Sequence, residues 1–407
     1  MEHKTSVIKV QLHTLNSIIM RSWIKKTFET WREETLKTFK DSGLILFFFV
    51  VPLLYPLAYS WIYNNETVNE VSVAVVDMSH SKESRDFIRQ YDSSPDVQVS
   101  YNCNTLDEAK QLMGMQKIKG IIYIPANFNS DINRFKQAHI SLFCDMSMML
   151  VYKAIYKTSI DVSSKINAKI QVKLAQNHTN KEDEITEKPL EVDEIALFNP
   201  TSGYGSSLIP AVLILIIQQT MLLGMGMAAG TRREYIRMRK QSDFDHRTNV
   251  TSIIFGKVLC YMILYTIIAA YLTLVVPSVF QFLATGSLKT WSFIIFPYLL
   301  ACTLFGILFS FIVRYREDIM LLVVFMSIPL LFLSGVSWPK SSIPQFWTAF
   351  SYLFPSTFGI QGFVKLNSMG ADIPQLKQEF VALLIQSFVY FVLIYFVLKS
   401  KIKRGKK

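Results

Sequence analysis

The sequence predicts an α-helical membrane protein with six transmembrane helices and an inserted external α/β domain. Three observations carry that expectation. Six apolar runs are long enough to cross a bilayer, one near the N-terminus and five crowded into the second half. Between them lie roughly 145 mostly polar residues, enough for a folded domain. Hydrophobic residues make up 51% of the chain and charged ones 18%, below the usual quarter, which argues against a soluble enzyme.

The elements follow in chain order. In residues 1–42, Ile24, Phe28, Trp31, Thr35 and Phe39 recur every three or four positions, with Lys25, Lys26, Glu29, Glu33, Lys37 and Lys40 between them. That spacing predicts an amphipathic helix. Two readings stand open and can coexist: a helix lying in the cytoplasmic headgroup layer, or one packed on a soluble partner. The first span, Gly43 to Tyr63, carries no charge, and as a helix it reaches about 30 Å. With about 40 residues ahead of it and no small-residue cleavage site after it, it reads as a retained anchor, not a signal peptide.

Residues 64–207 alternate strand and helix signals. Strands are expected over residues 71–79, 97–101, 120–128 and 140–144, and helices over 84–91, 106–115 and 150–174, giving an α/β domain with a small mixed sheet. The polar stretch 177–188 reads as a linker. Cys103 and Cys144 fall in this domain; a disulfide between them and two free thiols are both open readings. The domain shows no nucleophile elbow, phosphate loop or metal-ligand spacing, so neither catalytic nor metal-binding residues are expected.

The remaining spans are Leu208 to Gly230, Lys257 to Phe280, Trp291 to Val313, Ile319 to Ser337 and Phe380 to Leu398. Lys and Arg cluster before the first span, in the loop 231–250, at Arg314 and Arg316 and in the tail 399–407, whereas the alternate loops hold only Lys289, Lys340, Lys365 and Lys377. The positive-inside rule therefore puts both termini in the cytoplasm and residues 64–207 outside, with localisation in a cell inner (plasma) membrane. The net charge of +11 is largely this topological signal, and no basic stripe interleaved with aromatics suggests nucleic acid.

Between the fifth and sixth spans, residues 338–379 open with Pro339, Pro344 and Pro355 breaking the chain among Trp338, Phe346, Trp347, Tyr352 and Phe354. A short amphipathic or re-entrant piece is expected there, with Ser334, Gly335, Trp338, Pro339, Pro344 and Pro355 as candidates for an outer gate; a plain interfacial anchor is the other reading. Gln218 and Gln219 are polar within a span and are candidates either for the pathway or for interhelical hydrogen bonding.

Four strings in this order resemble the permease subunit of an ABC-2 type ATP-binding-cassette exporter, of the multidrug-efflux-like kind with a large external domain. They are SVAVVDMSHSKESRDFIRQYDSSPDV, GIIYIPANFNSDI, FNPTSGYGSSLIPAV and LSGVSWPKSSIPQFWTAFSYLFPSTFGIQGF, and the resemblance covers essentially the whole chain. It implies a coupling helix in the loop 231–250. Gly256 and Lys257 are similar to the start of the family's third span, and Gly230 with Thr231 to its Gly-Thr. The family's acidic stretch before that pair is missing, and Glu234 lies after it. Trp31, Thr231, Arg232, Arg233, Glu234, Arg237, Gly256 and Lys257 are the resulting candidates for contact with an ATPase.

The chain has no GxxxxGK[ST] loop to hold nucleotide phosphates. No Asp, Glu, Lys or His lies well inside a span, where one would cost about 2.5–3.5 kcal/mol and mark an ion relay. The expected energy source is therefore a cytoplasmic ABC ATPase subunit that carries ATP and Mg, with no cofactor in this chain. The resemblance further implies a second permease copy or sibling permease, export of a drug, lipid or glycolipid, and a periplasmic adaptor with an outer-membrane channel. A membrane-anchored receptor or scaffold with a ligand-binding α/β domain is the alternative.

Overall fold

The computed structural model describes residues 2–64, 68–134, 136–175, 182–183, 186, 198–199, 203–239, 249–282 and 284–404, with side chains in the first helix from Met20 onward. Most of the expected linker 177–188 and residues 240–248 of the basic loop lie outside the described residues. The chain divides into two compact units, Asn65–Ala196 and the combination of Met1–Asn64 with Leu197–Lys407.

The smaller unit is an α/β layer. Its elements run β1 (Val71–Asp77), α3 (Lys82–Asp92), β2 (Val97–Asn102), α4 (Leu106–Gly114), β3 (Gly120–Ile124), α5 (Phe128–Asn133), β4 (Ser141–Cys144) and α6 (Met149–Ala175); α1 and α2 belong to the other unit, below. The sheet order is β2-β1-β3-β4, with β1 parallel to β2 and β3, and β4 antiparallel to β3. β1 is central, so both its faces are apolar: Val71, Val73 and Val75 pack with Phe87, Tyr91 and Ile155, while Ala74 and Val76 pack with Ala109, Ile118 and Ile121. At its end Asp77 accepts from the Ser84 hydroxyl at 2.7 Å, and Ser81 and Ser84 form a reciprocal cap that starts α3. The strand expected over 120–128 stops at Ile124, because Pro125 has no N–H for the ladder, and Phe128 already opens α5.

Cys103 and Cys144 are both free thiols. Cys103 follows β2 and Cys144 ends β4, the opposite edges of the sheet. Three strand spacings are about 14 Å, far beyond the reach of a disulfide. Burial pushes the Cys144 thiol up to about 11, which favours its protonated form near neutral pH.

The larger unit is helical: α1 (Glu2–Lys40), α2 (Ser42–Ile62), α7 (Tyr204–Arg239), α8 (Val250–Val279), α9 (Leu288–Ser310), α10 (Asp318–Leu333), α11 (Gln345–Ser351), α12 (Pro355–Met369) and α13 (Lys377–Arg404). α7 is the central helix, buried along its whole apolar window, whereas α2, α8 and α13 leave most of theirs uncovered. Uncovered apolar faces on long helices are what a lipid-facing bundle requires. α2 includes a π-helical stretch, Leu46–Val50, that turns Phe48 inward onto Tyr261 and Tyr265, each ring 5.7 Å away.

The structure refines three expectations. Six spans are expected; among the described residues five helices are long and apolar enough to cross a membrane, and the run Ile319 to Ser337 forms the shorter, 16-residue α10. It stops at Leu333 because Ser334 and Gly335 turn the chain, Gly335 at φ +88°, a conformation that strongly favours glycine. Secondly, the loop expected from residue 231 is helical through Arg239, one continuous piece with the span before it. Thirdly, residues 338–379, where a short amphipathic or re-entrant piece is expected, contain the buried 15-residue α12.

Candidate functional site

One end of the helical unit collects most of its cations and is called the basic end here. Asp41 caps the start of α2 by accepting from the N–H groups of Gly43 and Leu44, and it also receives the Arg316 guanidinium at 2.9 and 3.3 Å. Glu234 on α7 accepts from the Arg316 backbone N–H at 3.2 Å. Arg233 donates to the Ser310 carbonyl at 2.8 Å, at the negative end of the α9 dipole. Arg237 lies 5.1 Å from the centroid of the Tyr315 ring. Arg233, Glu234 and Arg237 thus grip the turn 311–317 of their own chain and fasten α2, α7, α9 and α10 into one clamp. Thr231 is half-buried and its Oγ1 has no partner among the described residues; Arg232 lines the cavity beside it.

A second group joins α1 to α8. Glu34, 8% exposed, accepts from Lys257 Nζ at 3.0 Å and from the Tyr261 hydroxyl at 2.9 Å. Trp23 donates its indole N–H to Thr251 at 3.0 Å. Thr27, Thr30 and Thr38 return their hydroxyls to carbonyls four residues back, so they present small, already satisfied surfaces to α8. Gly256 completes the seam: a Cβ there would lie 2.7 Å from the Thr27 carbonyl oxygen and from Thr30 Cβ. Gly256→Val is therefore expected to push α1 off α8, at a cost of about 1–3 kcal/mol. A disulfide cross-link between cysteines placed at Trp23 and Thr251 reads this directly; an unchanged yield would contradict it.

The face of α1 that meets α8 is not its apolar stripe. Met20, Ile24, Phe28 and Phe39 are exposed, while Trp31 is half-buried and packs on Phe28 at 4.9 Å. At about 100° per residue, the stripe and the seam lie roughly a quarter turn apart. The helix can therefore dock on α8 and still offer an apolar face sideways.

The third group is the broken segment. Trp338, Pro339 and Pro344 are exposed, with Pro339 and Pro344 preceding short helical turns, whereas Ser334 and Pro355 are buried. The backbone groups that the prolines and turns free are satisfied by side chains of neighbouring helices. Gln218, near the middle of α7, accepts from the Ser356 N–H at 2.6 Å and so caps α12, whose first residue is Pro355. Gln361 donates to the Ser334 carbonyl at 3.1 Å, Gln386 to Tyr352 at 2.7 Å and Tyr390 to Leu353 at 2.6 Å. At the far end, Lys365 of α12 pairs with Glu379 in the first turn of α13. α12 thus begins level with the middle of a long buried helix, the geometry of a re-entrant piece. Broken backbone at that depth persists only where protein covers it.

Gln218 is therefore a structural tie, and Gln219 differs from it. Both polar atoms of Gln219 are buried with no partner among the described residues. Sequence reasoning missed Glu34, Asp41, Arg316, Ser356, Gln386 and Tyr390. Glu34 and Asp41 sit next to the basic stripe and Arg316 was counted only for its charge; nothing in the sequence signals that Gln386 and Tyr390 point at one loop.

A family model described as "ABC-2 family transporter protein" matches residues 42–396. The chain is also similar to the inner membrane transport permease YadH of Escherichia coli K12, at 27% identity over 139 residues, which is 33% of this chain and 52% of that protein; the same protein from Escherichia coli O157:H7 and from Shigella flexneri matches equally. The chain spans about half the length of the curated relatives it matches. No solved structure matches it. With the family model covering most of the sequence, the chain belongs to the ABC-2 family of transporter proteins and is a multi-pass membrane permease.

Proposed function

We propose that this permease is the membrane half of an ATP-driven exporter located in an inner membrane, with both termini and the basic end in the cytoplasm. The α/β unit lies on the outer side, and α10 makes a sixth, short crossing that the bilayer accommodates by local thinning. The observation that carries the reading is the continuity of α7. Its basic end grips the turn 311–317 through Arg233, Glu234 and Arg237, and its middle holds the start of α12 through Gln218. A rigid helix fixed at both places can carry a displacement from the cytoplasmic surface to the broken segment.

In this reading a cytoplasmic ABC ATPase presses on α1 and the end of α7, with Trp31 and Arg232 among the residues proposed to contact it. Two permease halves rock against each other and open a pathway for a hydrophobic or amphipathic substrate, a drug, lipid or glycolipid. Gln219, polar and with no hydrogen-bond partner among the described residues, is the side chain suited to meet that substrate or the second half. An adaptor and outer-membrane channel would take the cargo from the α/β unit. Full-length protein purified from its own host's membranes in mild detergent tests this: a stoichiometric ATP-hydrolysing subunit should accompany it, and hydrolysis should rise with added amphipathic drug or lipid. Transport by the chain alone in liposomes would overturn the proposal.

A further inference from the structure

The exposed apolar side chains of the α/β unit are concentrated in one place. Of the ten large ones among its described residues, seven fall between Phe143 and Ile160, and only Met78, Tyr101 and Met115 lie elsewhere. That stretch takes in the end of β4, the turn after it and the first turns of α6. On α6, at about 100° per residue, Met149, Lys153, Tyr156, Ile160 and Asn167 share one face. It is not the face packed on the sheet, which carries Val151, Ile155 and Val162. A groove of about 590 Å³ runs along it, lined by Leu142 of β4 and by Tyr156, Ile160, Ser163, Asn167 and Gln171 of α6 among others. β4 is an edge strand, since the sheet order ends on it, and an open edge beside a partly apolar groove invites a covering element.

Charge and shape select what covers it. Lys153 and Lys157 border the apolar end of the groove, are exposed, and make neither an ion pair nor a hydrogen bond among the described residues. Asp145, the one carboxylate between Phe143 and Ile160, is already engaged by Lys119 at 3.9 Å and by the Ser147 N–H and hydroxyl. Asp161, the next, lies further round α6. A second copy of this chain meeting the same face would set lysine against lysine, and a flat bilayer does not fill a groove. An amphipathic helix does, with its apolar side chains inserted and its charges at the rim. We infer that this face docks an acidic amphipathic helix of another protein, its apolar side chains against Leu142, Tyr156 and Ile160 and its Asp or Glu residues opposite Lys153 and Lys157. The exposed Met146 and Met149 beside the groove adapt their shape to such a helix. The inference concerns the α/β unit alone and rests on the reading above only for the compartment that supplies the partner, so docking succeeds or fails independently of transport.

The test uses the full chain in phosphatidylcholine nanodiscs at physiological ionic strength, with three fluorescent peptides. One is a helix with a Leu face and a Glu flank, the second has Lys in place of Glu, and the third is a scrambled acidic peptide with no apolar face. Fluorescence anisotropy, corrected with empty nanodiscs, should show the acidic amphipathic helix bound about tenfold more tightly than either of the others. Lys153→Glu with Lys157→Glu should invert that preference, weakening the acidic helix about tenfold and admitting the basic one, a result that a misfolded variant does not give. Lys165→Glu with Lys169→Glu reverses as much charge on exposed positions of the same helix, about half a turn from the groove, and should leave binding within about twofold. Equal losses in the two lysine pairs would mean diffuse attraction and overturn the docking face, as would equal binding of the amphipathic and scrambled acidic peptides. So would a Tyr156→Cys chain that cross-links to its own copy, or attachment to separate phosphatidylglycerol vesicles that the Lys153 and Lys157 reversal abolishes while peptide binding is unchanged.

Discussion

Glu34→Ala is expected to free α1 from α8. The substitution leaves Lys257 without its carboxylate and the Tyr261 hydroxyl without its acceptor, inside a seam where the pair's side chains are only 10% and 21% exposed. Breaking a buried pair by removing one partner costs about 3–5 kcal/mol, most of it the penalty of the charge left behind. Replacing both partners, Glu34→Leu with Lys257→Met, should recover most of that loss, because no buried charge then remains. The Trp23–Thr251 cross-link and the midpoint of thermal unfolding read both effects; a double variant as damaged as the single one would show that the ion pair is not what holds the helix. Acid should act in the same direction. Burial raises the Glu34 carboxyl's pKa, but the Lys257 ammonium, the hydrogen bonds from Lys257 and Tyr261 and the Arg232 guanidinium outweigh it, so the carboxyl titrates below its ordinary 4.5. A carboxyl lowered in the folded state contributes stability that is complete above its unfolded value and is lost as pH falls through the folded one. The midpoint of thermal unfolding should therefore keep this contribution above the ordinary carboxyl range and lose it only in stronger acid.

Gln218→Leu should loosen the start of α12 without disturbing the rest of α7. The Ser356 N–H loses its acceptor at a depth where water does not replace it, at a cost of about 1–3 kcal/mol. Gln219→Leu is the informative contrast. That side chain makes no hydrogen bond among the described residues, so an apolar replacement of similar size should be neutral or stabilising. Thiol labelling of a cysteine placed at Ser356 should rise in the Gln218 variant and stay at the wild-type level in the Gln219 variant. If Gln219→Leu also abolishes transport while leaving stability intact, that side chain faces the substrate.

Much of the fold was legible because it rests on local patterns. Uncharged runs of span length become helices wherever they fall, and the β-rich run Val71 to Asp77 followed by the helical spacing of Phe87 and Tyr91 marks an α/β layer. What escaped depends on tertiary partners. α10 is shorter than its apolar run because Ser334 and Gly335 turn the chain under Gln361, and α12 exists as a buried helix because Gln218, Gln386 and Tyr390 satisfy the backbone around its start. The α1 stripe was correctly seen as apolar, yet the docking face is the neighbouring row of Thr27, Thr30, Glu34 and Thr38, which hydrophobic periodicity does not register. Among the coupling candidates, Arg233, Glu234 and Arg237 prove to hold their own chain, since charge in a sequence does not say whether its partner is internal.

The central claim is that force applied at the basic end reaches the broken segment through α7. Site-directed labelling of a cysteine at Trp347, with native thiols accounted for separately, tests it most directly in membranes containing the permease and its ATPase. Labelling should differ between nucleotide-free and vanadate-trapped states, and the Gln218→Leu variant, which cuts the tie of α7 to α12, should lose that difference while still binding ATPase. Identical labelling in the two states, with transport intact, would contradict the account.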